Sequence, residues 1–249
     1  ETLDGSKLAD AIDQANSATG DTSVVFTISA ATTIEGSEAN FTALLTDDGN
    51  NQIDIDDQDI SVSGTISVDN ANLLDTATTG TITASIDTDE TVTELKTLTG
   101  TTHAYTIVIA AGDATSSSAS DLNTINEKTT EAVDLTNVTA LASSSLSDLG
   151  TLATAIGNSE FDNASGLTTI AVSDGTVEAD VLAARIDSFD TINGDNTTGM
   201  TLKSEATINV ASGEIAEMLA DELANRLTIS DQDINVDNGT ISVDTANDL

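Results

Sequence analysis

Residues 53–74 read IDIDDQDISVSGTISVDNANLL, and residues 227–249 read LTISDQDINVDNGTISVDTANDL. The two stretches align with one inserted residue, and most positions are identical or similar. Working outward, LDGSKLADAID near Asp4 resembles SDGTVEADVLAARID near Asp174, and FTISAATTI from Phe26 resembles MTLKSEATI from Met200. The three matches keep chain order at nearly constant offsets. Self-similarity over a fixed long period is the mark of a repeat protein. The reading is one partial module over 1–76 and a second over 77–249, in which 174–249 repeats 4–74.

A shorter unit lies inside the module. Gly64-Thr65-Ile66-Ser67-Val68, Gly80-Thr81-Ile82-Thr83-Ala84 and Gly239-Thr240-Ile241-Ser242-Val243 share one pattern, a glycine turn followed by a β-branched strand. Further strands are expected at 24–29, 105–110, 133–139, 168–172, 200–203, 207–210 and 227–229. Helical spacing appears at 176–189 through Val177, Val181, Leu182, Ile186 and Phe189. It recurs at 144–156 and 212–225, and more weakly at 6–16, 90–98 and 118–128. Residues 69–75 read as a single turn, with Asp69 as helix N-cap and Asp244 in the same role in the second copy.

Short strands alternating with short helices, with no proline, predict parallel sheets. A doubly wound sheet is one arrangement. A parallel solenoid of short strands and helices fits better, because the units are short and recur without a centre. Such a stack needs little core volume per layer. That suits a chain with 2% aromatic residues and no Trp.

Charge narrows the functions. The 249 residues hold 43 Asp+Glu against 6 Lys+Arg, a net charge of −37, and 30 of the acids are Asp. A surface this acidic repels nucleic acid and anionic lipid. It also repels itself, so salt or bound cations should stabilise it. No run of apolar residues is long enough to span a bilayer. With no cysteine, disulfides and thiol catalysis are excluded. The chain starts at Glu1 and its second copy stops short, so a piece of a longer, exported polypeptide is expected.

Asp54, Asp56, Asp57 and Asp59 crowd four carboxylates into six residues, with Asp231, Asp233 and Asp237 in the second copy. Hard oxygen ligands select calcium, so these seven residues are the candidate metal ligands and Ca2+ the candidate cofactor. Their spacing does not make an EF-hand loop. The alternative is a solvated acidic edge that blocks strand-to-strand aggregation.

Enzyme signatures are absent. His103 is the sole histidine, no GxSxG elbow surrounds it, and neither GxxxxGK[ST] nor GxGxxG occurs. Arg185 and Arg226 are expected to anchor carboxylates on neighbouring coils.

The stretch GTISVDNANLLDTATTGTITASI over 64–86, and again 239–249, resembles the repeats of giant cell-surface proteins of marine picocyanobacteria, the swimming-associated surface protein type. Similar acidic repeats occur in secreted adhesins and phage fibres. The resemblance implies an exported, calcium-influenced surface or filament role and supplies no catalytic residues.

The sequence therefore predicts a non-enzymatic structural region, extracellular or at the cell surface, that self-associates through its own repeats into a rod, layer or filament. Alternatives are a polysaccharide-active or glycan-binding β-solenoid and a phage or particle fibre.

Overall fold

The computed structural model describes residues 1–20, 24–29, 32–194 and 198–237. The elements run β1 (Thr2–Asp4), α1 (Gly5–Thr19), β2 (Thr33–Ser37), α2 (Glu38–Gly49), β3 (Asp59–Ile66), α3 (Val68–Ala77), β4 (Ile82–Ile86), α4 (Val92–Leu95) and β5 (Ala104–Thr106). Then come α5 (Ala119–Asn126), β6 (Val133–Asp134), β7 (Ala140–Ser144), α6 (Leu146–Gly157), β8 (Phe161–Asp162), β9 (Thr169–Val172), β10 (Thr176–Glu178), α7 (Ala179–Asn193), β11 (Gly199–Leu202), β12 (Thr207–Ala211), α8 (Ile215–Leu223), β13 (Leu227–Thr228) and β14 (Asp233–Asp237). This is an α/β protein with several all-parallel sheets of short strands alternating with helices.

The chain divides into two compact units, Glu1–Val108 with Ile125–Val133, and Ile109–Thr124 with Asp134–Leu249. In the first, one sheet has the order β1-β2-β3-β4-β5, so every strand lies beside its chain neighbour. The second holds sheets ordered β10-β12-β14 and β13-β11-β9-β7. A doubly wound sheet would reverse its strand order at one point. The five-stranded sheet does not.

The register explains how so few aromatics suffice. In the first unit Leu3, Ile34, Ile60 and Ile82 pair in succession. In the second, Leu141, Ile170, Met200 and Leu227 do the same. Ile34, Ile60, Ile82, Ile170 and Met200 are all at most 1% exposed. Each buried aliphatic side chain contributes about 1.5–3 kcal/mol. The core is thus many thin layers of like side chains. On the outer face the same stacking makes a polar ladder: Asn235 Nδ2 donates to Asn209 Oδ1 at 2.9 Å, and Asn209 Nδ2 donates to Glu178 Oε1 at 2.7 Å.

Close stacking dictates one glycine. A Cβ at Gly80 would lie 2.2 Å from the Gln58 carbonyl oxygen, so the loop entering β4 accepts no side chain there.

The structure fixes the repeat offset at 174. Helix α1 ends at Gly20 in the left-handed region, φ 65°, and α7 ends at Gly194 with φ 75°. Asn51 and Asn225 share φ 58°. Strands β1, β2 and β3 correspond to β10, β12 and β14. The match of Asp4 with Asp174 is therefore displaced by four residues. Asp4 caps α1, whereas Asp174 and Gly175 precede β10, and the true partner of Asp4 is Glu178.

Several local expectations change. The GTISV run at 64–68 is not one strand: β3 ends at Ile66, Ser67 is the N-cap and Val68 opens α3. Ser67 Oγ accepts from Asn70 N, so the cap is Ser67 rather than Asp69, which sits in the first turn. The single turn expected at 69–75 is a ten-residue helix. Residues 176–178 are strand, because Val177 pairs with Ile208. Only Phe26 pairs within 24–29, through an isolated bridge to Ile53. The 105–110 and 133–139 strands shrink to β5 and β6. Helix α2 and strand β2 were not anticipated, since Phe41 and Leu44 alone make a weak apolar pattern in EANFTALLTDDG. The second GTISV run, with Asp244, lies outside the described residues.

Candidate metal centre

The link between α2 and β3 starts the site. Ile53 and Ile55 are buried, whereas Asp54 and Asp56 between and after them are exposed. Asp56 N–H donates to Asp54 Oδ1 at 3.1 Å, which folds the segment into a tight turn. Helix α2 then supplies a third carboxylate, Asp48, from its last turn. Asp48 Oδ1 accepts from Ile55 N–H at 3.4 Å.

Asp48, Asp54 and Asp56 each offer an oxygen, and the three lie within 4.8 Å of one another. They border an open cleft of about 420 Å³ with Val25, Asn51 and Ile53. Partial burial pushes the Asp48 carboxyl above the usual carboxylate range. Asp56 and Asp54 push it further, against the Ile55 N–H. A cation here would relieve all three repulsions, and the all-oxygen donor set suits a hard one such as calcium.

The site is only partly the one expected. Asp54 and Asp56 belong to it. Asp57 accepts from the Gln58 amide instead, and Asp59 opens β3 with its Oδ1 accepting Thr81 N–H at 2.8 Å. Asp48 was missed because its helix was missed. In the second copy Asp48, Asp54 and Asp56 correspond to Glu222, Thr228 and Ser230, so the trio does not recur. Asp231 accepts from Ser204 Oγ at 2.5 Å, and Asp237 from Asn235 Nδ2 at 3.3 Å. Asp233 opens β14, and its N–H donates to the Ala206 carbonyl at 3.0 Å. Among the described residues these three do not form a metal-holding group.

Other acids have a different task, not anticipated from sequence: they cap helices of adjacent layers. Glu38 Oε1 accepts from Ser67 N, Ser67 Oγ and Asn70 Nδ2 at the start of α3. Glu90 Oε1 accepts from Val68 N at 2.8 Å, and Asp174 Oδ2 from Leu146 N at 2.7 Å. A carboxylate at a helix N-terminus satisfies an orphan N–H and meets the positive end of the dipole. The Asn70 amide, with the Ser67 N–H and hydroxyl, holds Glu38 below its usual range.

The cations behave unequally. Arg226 binds Asp190 at 2.8 Å and Asp187 at 3.6 Å, and also pairs with Asp221. Arg185 Nε instead donates to the Leu146 carbonyl at 3.1 Å. His103 is 3% exposed, with Nε2 2.6 Å from Asp75 Oδ1 and Nδ1 accepting from Ile82 N–H at 3.1 Å. Both ring nitrogens are engaged in holding β4 to α3, which is a structural post. Among the described residues, no helix is long and apolar enough to cross a membrane.

No protein family, curated protein or solved structure matches this chain.

Proposed function

We propose that the chain is a structural repeat region of a large secreted or cell-surface protein, stacked as a parallel solenoid into a rod, layer or extracellular filament and stabilised by calcium. It performs no catalysis. One observation carries this reading: strands β1 to β5 pair in chain order, all parallel, with an aliphatic column of Leu3, Ile34, Ile60 and Ile82 across the first four. That is the arrangement expected when each coil contacts only its neighbours. The internal period of 174 extends it, because Phe26 beside Ile53 is repeated as Met200 beside Leu227. Calcium enters through Asp48, Asp54 and Asp56, where a divalent ion would lower the cost of a −37 chain. Electron microscopy of the native polypeptide tests the reading. Threads or a layer of constant width are expected. Compact monodisperse particles without higher-order structure would overturn it.

A further inference from the structure

Helices α6 and α7 belong to one compact unit and pack side by side. On α6, Ser147, Thr151, Thr154 and Asn158 follow one another at helical spacing, so one face carries them all. All four are exposed. With Glu160 and with Arg185 of α7 they border an open cleft of about 490 Å³.

Gly150 shows how the cleft is built. Glycine inside a helix weakens it. Here a Cβ would lie 2.6 Å from Arg185 Nη2 and 2.8 Å from Arg185 Cζ, and would push the guanidinium off its seat. The guanidinium rests on the bare backbone of α6 at that turn, and its Nε donates to the Leu146 carbonyl at 3.1 Å. Arg226 gives its guanidinium to Asp190, Asp187 and Asp221. The two terminal nitrogens of Arg185, by contrast, have no hydrogen bond or ion pair among the described residues. In a chain with 43 Asp+Glu against 6 Lys+Arg, that is a donor group held at a cleft and left to the outside.

The other groups of the cleft have the opposite character. Thr154 Oγ1 donates to the Gly150 carbonyl at 2.8 Å, and Thr151 Oγ1 to the Ser147 carbonyl at 3.4 Å. With their protons turned to the helix, both hydroxyls offer the cleft lone pairs only. The Glu160 carboxylate is likewise an acceptor, and one of its oxygens takes Asn158 Nδ2 at 3.2 Å. An acceptor-only anion would satisfy Arg185 and be refused by Thr151, Thr154 and Glu160. An ammonium would be repelled by Arg185. Hydroxyl groups both donate and accept, so a neutral molecule carrying several of them suits every position. The net charge of −37 also turns away a polyanion. From Ser147 to Asn158 the face runs about 16 Å at the helical rise, longer than one sugar ring.

We propose that this cleft binds a segment of a neutral oligosaccharide chain. Arg185 donates to sugar oxygens, and Thr151, Thr154 and Glu160 accept from sugar hydroxyls. The lining holds no aromatic residue, so the chain is held weakly, with Kd on the order of 10⁻³ M. The site is contained in α6, α7 and the residues that follow α6, and it does not depend on the rod or filament reading.

The test uses the full chain. Its only arginines are Arg185 and Arg226, so the side-chain Nε–Hε region of an isotope-labelled sample holds one reporter in the cleft and one in an ion-paired control site. The sample is titrated with cellohexaose, maltohexaose and mannohexaose, and separately with a hexauronate, each to about 10 mM, roughly tenfold above the expected Kd. The expected result is a saturable shift of the Arg185 signal with at least one neutral hexasaccharide, no movement of Arg226, and a weaker response to the hexauronate. Thr154→Val removes an exposed acceptor without touching the core and should weaken binding about fivefold to tenfold. Arg185→Lys keeps the charge but loses the planar fork and should weaken it at least as much, read on the Thr151 backbone amide. Thermal unfolding of both variants checks that they fold. No saturable shift with any of the three neutral sugars, the two arginine signals moving together, tighter binding of the hexauronate, or unchanged affinity in folded Thr154→Val overturns the proposal. Failure here leaves the stacking of the strands untouched, because no residue of the cleft belongs to a sheet.

Discussion

Arg226 Nη1 lies 2.8 Å from the carboxylate of Asp190, a side chain 3% exposed. At the corresponding place in the first copy, Gln52 Nε2 donates to Asn16 Oδ1 at 2.8 Å. A charged pair and a neutral pair thus do the same work of tying a helix to the next layer. Removing one partner of a buried ion pair costs about 3–5 kcal/mol, whereas replacing both is far milder. Arg226→Gln should therefore destabilise the chain by several kcal/mol in that range. Adding Asp190→Asn, which restores the Gln52–Asn16 arrangement, should recover most of the loss. Urea unfolding of the two variants measures both. A double variant no better than the single one would show that the two sites are not equivalent.

The cap of α3 gives a sharp comparison. Ser67→Ala removes the Oγ that accepts Asn70 N–H and should cost about 1 kcal/mol. Asp69→Ala, in the first turn but without that role, should cost only a few tenths through the helix dipole, about 0.3 kcal/mol. Equal losses in thermal unfolding would restore Asp69 as the cap.

Glu38 links stability to pH. Its carboxylate is held below 4.5 by Asn70 and Ser67. A depressed acid contributes stability that is present above its unfolded value and is lost as pH falls through its folded one. Glu38→Gln should thus be less stable than the parent near neutral pH, by about 1 kcal/mol for weakened charge-assisted bonds. The gap should narrow as pH drops below 4.5. Denaturant midpoints of both proteins across this window are the measurement, and a gap independent of pH would refute the linkage.

Calcium should bind at Asp48, Asp54 and Asp56. Millimolar calcium is expected to raise the melting temperature and to give binding heat with Kd on the order of 10⁻⁴–10⁻³ M, the range of extracellular modules. Asp54→Asn with Asp56→Asn should abolish both effects. Asp231→Asn should leave them intact, because its carboxylate is held by Ser204. No heat and no shift in the parent chain would sink the metal proposal.

Much of the fold was readable from β-branched runs and ordered repeats. Parallel strands alternating with helices follow from the short units, and the 174 offset was already present in Phe26 matching Met200. The errors have physical causes. Ser67 and Val68 suit a strand by composition, but Ser67 sits three residues before Asn70 and caps a helix instead. Val177 fits helical spacing, yet its pairing with Ile208 places it in a strand. Helix α2 carries only two buried residues, Phe41 and Leu44, so periodicity could not reveal it, and Asp48 was lost with it. Counting carboxylates found Asp54 and Asp56. It could not tell them from Asp59, which a hydrogen bond to Thr81 employs elsewhere.

The claim that the chain is a stack of parallel coils in sequence order is tested most directly by disulfide trapping within one molecule. Adjacent strands lie about 4.7–4.9 Å apart, inside the Cα separation of about 4.4–6.8 Å that a disulfide spans, and strands two steps apart lie outside it. Glu35 pairs with Ser61, and Ser61 with Thr83. The account predicts a rapid internal disulfide in Glu35→Cys/Ser61→Cys and in Ser61→Cys/Thr83→Cys, and none in Glu35→Cys/Thr83→Cys. A bond in the last pair, or in neither of the first two, would contradict it.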